Sequence, residues 1–214
     1  MGARSTALVV SLLSLLTVGC TTTSAGEPGP DATSETQTIN PTSTVETADP
    51  GEDLPTDGAP TVPDPLDTTA FQQDPCRALT PDQSQELNVG SSGEPYEEVL
   101  GNGCEWRNTE SKGRTKLAFL DRDPRGLSAL YRANKAGKWA YFEELPPIEG
   151  YPAIVRGIVD DRNRGSCTVV VGVSDEIAFA TILELSPANV GKKDPCEVGA
   201  QVAGMALQNM KQGG

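Results

Sequence analysis

The sequence contains no histidine, and this absence excludes several kinds of catalytic site. A Ser-His-Asp triad, a Cys-His pair, a histidine metal site and a histidine pH switch all need an imidazole ring. Basic residues are also scarce, with 17 Lys and Arg against 30 Asp and Glu and a net charge of -13. Because nucleic-acid affinity depends on Lys and Arg at the phosphates, we expect no nucleic-acid partner.

Long apolar runs are missing after the first residues of the chain. The one such run extends from Ala7 to Val18, shorter than the roughly 20 residues that a membrane-spanning helix needs. It predicts a signal peptide over residues 1–19. The stretch from Leu16 to Cys20 resembles the lipobox of bacterial lipoproteins, although Thr17 stands where an aliphatic residue is usual. The resemblance implies that Cys20 is acylated, and two acyl chains suffice for stable anchoring. Ordinary secretion with a spare thiol is the alternative.

The segment that follows Cys20 has no Lys or Arg at all. Residues 21–74 contain 13 Thr, 8 Pro and 11 acidic residues, and they offer too few apolar groups to offset the ordering entropy of a fold. We therefore predict that residues 20–74 form a disordered tether. The remaining residues, 75–214, carry 19 acidic and 16 basic side chains. Most of the negative charge thus belongs to the tether, and 75–214 has the size of one folded domain.

Four cysteines remain once Cys20 is assigned to lipid: Cys76, Cys104, Cys167 and Cys196. An even number of cysteines in an exported chain predicts two disulfides. Three pairings are open to four cysteines. We favour Cys76 with Cys104 and Cys167 with Cys196, because each bridge would then join the start of a helix to a neighbouring strand.

Three dipeptides, Thr80-Pro81, Asp123-Pro124 and Asp194-Pro195, place a capping oxygen before a proline and predict helix starts. Alternating or β-branched runs predict strands over residues 103–108, 115–121, 139–145, 153–160, 166–174 and 177–185. The resulting order of elements predicts one α+β domain, an antiparallel sheet with helices packed on one face.

Several motifs together point to a known family. The lipobox and the tether are followed by Asp74-Pro75-Cys76, Leu79-Thr80-Pro81, Gly103-Cys104-Glu105-Trp106 and Gly150-Tyr151-Pro152-Ala153, and then by Cys167 and Cys196. In this order they resemble a family of actinobacterial lipoproteins, the domain of unknown function 3558 family. The resemblance implies lipid anchoring through Cys20 at the outer face of the cytoplasmic membrane, and paired cysteines. It implies no catalytic residue.

Acidic pairs are the nearest approach to a catalytic motif. Glu97-Glu98, Glu143-Glu144 and Asp160-Asp161 are each adjacent in sequence, and neighbours on a strand point to opposite faces. A glycoside hydrolase needs two carboxylates facing each other about 5 to 10 Å apart. The run from Asp160 to Asn163 lacks the later residues of a calcium loop and predicts a hairpin turn. We expect no metal and no cofactor.

Aromatic residues make up only 5% of the chain, and their positions favour packing. Trp106 is predicted to cover the disulfide of Cys104. Trp139, Tyr141 and Phe142 form either core or a partly exposed lip.

These observations predict a non-enzymatic envelope domain that binds a partner protein or an envelope ligand. A carrier of a lipid or another small hydrophobic molecule is the alternative, and an envelope hydrolase is a third hypothesis.

Overall fold

The computed structural model of the chain describes residues 53–98 and 101–213. The predicted signal peptide, Cys20 and the first part of the tether lie outside these residues. The strands are β1 (Gly93–Glu98), β2 (Gly101–Arg107), β3 (Arg114–Phe119), β4 (Tyr141–Ile148), β5 (Tyr151–Gly157), β6 (Ser166–Gly172) and β7 (Ala178–Glu184). The helices are α1 (Thr69–Gln73), α2 (Pro81–Glu86), α3 (Gly126–Lys135) and α4 (Pro195–Lys211), with 3-10 turns at Pro75–Ala78 and Arg162–Arg164.

All seven strands form one antiparallel sheet in the order β1-β2-β3-β7-β6-β5-β4, which confirms the predicted α+β domain with an antiparallel sheet. β1 and β4 are its edges. β1 is not among the strands predicted from the sequence, because Pro95 and the acidic residues around it are atypical of strands. An edge position tolerates both, since one side of the strand has no ladder to maintain.

Helices cover both faces of the sheet, so the prediction that all of them pack on one face is wrong. Val202 and Ala206 of α4 share a core with Val169 of β6. Leu127 of α3 lies in a second core with Val170 on the opposite face. The reason is visible in β6, where consecutive residues are buried and both faces therefore need a cover.

Two of the three predicted helix caps are confirmed. The Thr80 hydroxyl accepts a hydrogen bond from the Gln83 N–H, and the Gln83 side-chain oxygen accepts one from the Thr80 N–H. The Asp194 carboxylate accepts from the first backbone N–H groups of α4.

The third cap, at Asp123, is wrong. α3 begins at Gly126, and Asp123 instead binds the Arg125 guanidinium at 2.6 Å. Gly126 sits in the left-handed region at φ +49°, where a Cβ would come within 2.6 Å of the Asp175 carbonyl oxygen. This close approach of two backbones fixes the start of the helix.

Two disulfides join the helical layer to the sheet. Cys76 in the first 3-10 turn is bonded to Cys104 in β2, and Cys167 in β6 is bonded to Cys196 in the first turn of α4. The favoured pairing is confirmed. Trp106 is buried. Its ring and the Cys104 sulfur lie against the same residue, since a Cβ built on Gly93 would be 2.9 Å from the ring and 2.3 Å from the sulfur. The predicted packing of Trp106 beside this disulfide is therefore also confirmed.

The folded part begins well before residue 75, so the predicted end of the tether at residue 74 is wrong. Phe71 is 1% exposed and Val62 is 4% exposed. The Leu66 N–H donates to the Val173 carbonyl at 2.8 Å, and the Asp57 carboxylate pairs with the Arg132 guanidinium at 2.9 Å. A few apolar residues spaced along this polar segment pack residues 53–74 against the domain. Because the average composition of the segment is polar, it does not indicate this packing.

Candidate functional site

A groove lies between the edge strand β4 and the N-terminal half of α4, and it has a volume of about 580 Å³. Its floor and walls are apolar and consist of Leu145, Pro146, Pro147, Ile148, Val155 and Ala200, beside the disulfide at Cys196. Its rim is charged and carries Glu143, Arg162, Asp194 and Glu197. Apolar surface with a few polar groups at the mouth is typical of a binding site.

The groove exists because α4 packs closely on the middle of the sheet and leaves the edge uncovered. The Thr181 hydroxyl of β7 donates to the Gly199 carbonyl of α4 at 3.1 Å. A Cβ at Gly199 would lie 3.1 Å from a Val169 methyl group, so the small residue lets the helix approach β6. β4 lies two strands further out, and α4 does not fill the space above it.

The end of β4 forms one wall of the groove. The pairing of β4 with β5 is regular up to Leu145 and shifts register before Ile148. Pro146 and Pro147 occupy this irregularity. Proline has no N–H to donate, so it is tolerated here because β4 is an edge strand.

Arg162 organises the rim on the β4 side. Its Nη1 donates to Glu143 at 2.8 Å and its Nη2 donates to Asp160 at 2.7 Å. The same guanidinium stacks on the Tyr141 ring at 4.1 Å from the ring centre. Hydrogen bonds from Arg162 lower the pKa of the exposed Asp160 carboxyl to about 2. The three contacts hold the guanidinium against β4.

The α4 side of the rim is acidic. The Asp194 carboxylate accepts hydrogen bonds from the Cys196 N–H at 2.7 Å and from the Glu197 N–H at 3.2 Å. Glu197 is exposed in the first turn of the helix, where a negative charge is favoured by the helix dipole. Among the residues that line the groove there are three carboxylates and one guanidinium.

A second groove of about 520 Å³ lies at the other end of α4, beside Cys76, Leu79 and Gln212. Its central polar group, the Asn209 amide, donates to the Ala78 carbonyl at 2.9 Å and to the Gln83 side chain at 2.8 Å. Because this amide is already hydrogen-bonded to α2 and to the 3-10 turn before it, the second groove has fewer polar groups available to a ligand than the first groove.

The acidic pairs singled out in the sequence do not form sites. Glu143 faces the groove, whereas Glu144 accepts from the Tyr131 hydroxyl at 2.8 Å, on the face that α3 covers. Asp160 and Asp161 lie in the β5–β6 hairpin turn, as predicted, and pair with Arg162 and Arg164 respectively. Glu97-Glu98 belongs to β1, at the opposite edge of the sheet from the groove.

The aromatic residues near β4 are half-buried and already in contact with the fold. Trp139 lies under the Arg156 guanidinium at 4.6 Å, and Phe142 meets Tyr131 edge-on at 5.0 Å. Of the two predicted alternatives, core or exposed lip, neither describes these rings fully, because they pack against neighbours and are also partly exposed to water.

The groove is not among the features that the sequence predicts. Its walls come from two elements about 50 residues apart, and only tertiary packing brings them together. One signal was present, because two successive prolines beside a predicted strand indicate a sheet edge. Asp194-Pro195 predicts a helix cap, and no local pattern indicates that Asp194 also lies at the rim of a groove.

Residues 53–98 and 101–213 contain no cluster of three or more acidic, cysteine or histidine side chains arranged to hold a metal ion. No helix within the same ranges has the length and apolar character to cross a bilayer.

Comparison with known proteins gives one result. Neither the curated proteins nor the solved structures provide a match. A family model does match, from residue 15 in the apolar run to residue 209 in the last helix. This range covers nearly the whole chain, and the chain therefore belongs to the family described as "Protein of unknown function (DUF3558)".

Proposed function

We propose that this chain is a lipid-anchored, non-enzymatic binding domain of the cell envelope. Cys20 attaches it to the outer face of the cytoplasmic membrane, and the groove between β4 and α4 receives its partner or ligand. The short apolar run before a lipobox-like stretch supports the anchor. The two disulfides support export, since such bonds persist outside the reducing cytosol.

The observation that carries the binding role is the groove itself, with an apolar floor and with two of its three rim acids already engaged by the fold. Glu143 is paired with Arg162, and Asp194 caps α4. A hydrolase would need two carboxylates free to exchange protons with a substrate. Rim acids engaged in this way favour recognition of a bound molecule over acid–base chemistry.

A carrier of a small hydrophobic molecule is the second candidate. The groove volume of about 580 Å³ falls in the range of small-molecule sites, roughly 300 to 1,000 Å³. Its Leu, Ile, Val and Pro lining would suit an acyl chain or another apolar ligand.

Membrane fractionation tests the anchor. The full chain is expected to sediment with membranes and to carry a diacyl mass at Cys20, whereas Cys20→Ala is released into the soluble fraction. Ser24→Ala, which changes a neighbouring side chain of similar size, serves as the matched control and stays with the membrane. Equal distribution of Cys20→Ala and the wild type would contradict the anchor.

Native mass spectrometry of the full chain carrying Cys20→Ser separates the two candidates. Bound mass that is lost on denaturation supports the carrier. A chain without bound mass, and lacking four hydrogens for its two disulfides, supports binding of a partner protein.

A further inference from the structure

The geometry points to a specific occupant of the groove: an extended segment of a partner protein, carrying apolar and basic side chains, that lies alongside β4. This inference rests on the proposed function and names the class of partner. It is carried by three observations: a sheet edge that no other described strand covers, an apolar floor beside that edge, and an acidic rim.

The first observation is the open edge. Within residues 53–98 and 101–213, β4 pairs only with β5, so none of these residues adds a strand to its other side. From Tyr141 to Leu145 the strand contains no proline and keeps regular register with β5. An extended peptide can add a strand to an edge of this kind through main-chain hydrogen bonds.

Prolines usually protect exposed edges from such pairing. Here Pro146 and Pro147 block only the second half of β4, and the first half is left open. The other edge strand, β1, has Pro95 near its middle. The open backbone of β4 thus runs from Tyr141 to Leu145 and overlaps the groove at Glu143 and Leu145.

The second observation is the position of the apolar floor. Along β4, the side chains of Glu143 and Leu145 face α4, and their partners in register are Val155 and Ala153. An added strand would lie outside β4 and direct alternate side chains toward the same face, beside Glu143 and Leu145. Those side chains would bury apolar surface against the floor.

The third observation is the charge of the rim. Glu143, Asp194 and Glu197 outnumber Arg162, and the latter is shared with Asp160 outside the groove. Lys193 precedes α4 but lines a separate small cavity beside Leu87 and Asn189. The rim therefore favours a positively charged ligand.

Lys and Arg suit both parts of the groove. Their aliphatic stems cover apolar surface while their charged ends reach the edge of a site. A long basic side chain that crosses the groove beside Leu145 can thus cover apolar surface and extend its charge toward Glu197 on the α4 side of the rim. The apolar floor and the acidic rim therefore both favour Lys and Arg in the bound segment.

A nuclear magnetic resonance titration of the full chain carrying Cys20→Ser tests this inference. The probe is a short blocked peptide in which lysine and valine alternate, and the comparison peptide has glutamate in place of lysine. We expect the lysine peptide to shift the amide signals of Tyr141–Leu145 and of the first turns of α4, and to slow hydrogen exchange along β4. The glutamate peptide should leave these signals unchanged.

Charge-reversal variants give the quantitative test. Glu197→Lys is expected to weaken binding of the lysine peptide roughly fivefold at low salt, as for an exposed charge pair, and less at high salt. Glu110→Lys, the same change in the distant turn between β2 and β3, should leave the affinity unchanged. Equal weakening of binding by the two variants would overturn the inference, because the loss of affinity would then come from the net charge of the protein and not from the charge at the rim.

Two further outcomes separate this inference from the proposed function. Equal binding of both peptides, or signal shifts confined to other surfaces, overturns the peptide occupant and leaves the binding domain in place. A small hydrophobic molecule that occupies the groove and excludes the peptide also overturns the peptide occupant and leaves the binding domain in place. That outcome favours the carrier.

Discussion

At the scale of single residues, Arg162 connects the hairpin turn to the edge of the sheet. It stacks on Tyr141 and donates to both Glu143 and Asp160. Because Arg keeps its charge and presents a planar fork of donors, it can serve two carboxylates and a ring at once. The side chain thus determines the shape of the rim on the β4 side of the groove.

The pKa of Asp160 measures this contact. Hydrogen bonds from Arg162 lower it from 3.8 to about 2, so Arg162→Gln should return it toward 3.8. A depressed pKa stabilises the fold above the unfolded value of 3.8, and that contribution is lost as pH falls through about 2. A carboxyl-carbon titration by nuclear magnetic resonance measures the shift. Arg164→Gln, which removes the partner of Asp161, should leave Asp160 unchanged; a shift of equal size there would contradict the account.

At the scale of secondary-structure elements, the start of α4 is defined by Asp194 and Pro195. The carboxylate satisfies two backbone N–H groups, and the proline occupies a position where no N–H is needed. The same turn contains Cys196, which fixes it to β6 through a disulfide. The cap therefore holds one side of the groove as well as the helix.

Removing the cap should destabilise the fold. Asp194→Ala leaves the first N–H groups without their acceptor and is expected to lower the free energy of unfolding by about 1 kcal/mol. Asp194→Asn keeps an acceptor oxygen and should retain most of the stability. Urea unfolding measures both variants, and equal losses would show that the hydrogen bond is not the source of the effect.

How well each element could be predicted depended on how local its cause is. The cap at Thr80 and the β-branched run of β6 depend on neighbouring residues, and both are visible in the sequence. The start of α3 depends on a backbone contact between Gly126 and Asp175, about 50 residues away. β1 is a strand only because β2 pairs with it. The groove has the same non-local origin, and therefore only its prolines were visible.

At the scale of the whole molecule, residues 53–74 extend the domain beyond the limit that composition suggests. Phe71 is fully buried in the core on the α4 side of the sheet. Thr56 and Asp57 contact α3 on the other side of the sheet. The segment therefore contacts both faces and contributes to the core.

Truncating the buried ring tests this packing. Phe71→Ala should lower the free energy of unfolding by about 3 to 5 kcal/mol, because it removes a large side chain and leaves a cavity. Gln73→Ala, an exposed change two residues later, should stay within about 0.5 kcal/mol of the wild type. Chemical unfolding of both variants gives the comparison. Similar stabilities would mean that residues 53–74 do not belong to the folded unit.

The disulfides act at the same scale, since each closes a long loop. Cys76 and Cys104 are separated by 28 residues, and the chain-entropy relation gives about 3 to 4 kcal/mol for a loop of this length. The double variant Cys76→Ala with Cys104→Ala should lose about that much stability in urea unfolding. A loss below about 1 kcal/mol would show that residual structure already restrains the unfolded chain.

The most direct test of the central claim, that the groove between β4 and α4 is a binding surface, is photo-crosslinking in the producing cells. A photoreactive residue at Leu145, in the groove wall, is compared with one at Glu110 in the distant β2–β3 turn. A discrete product is expected at Leu145 alone, mapped to a peptide with basic and apolar residues, and its yield should fall when Glu197→Lys is added. The same products at both positions, or no product at Leu145, would contradict it.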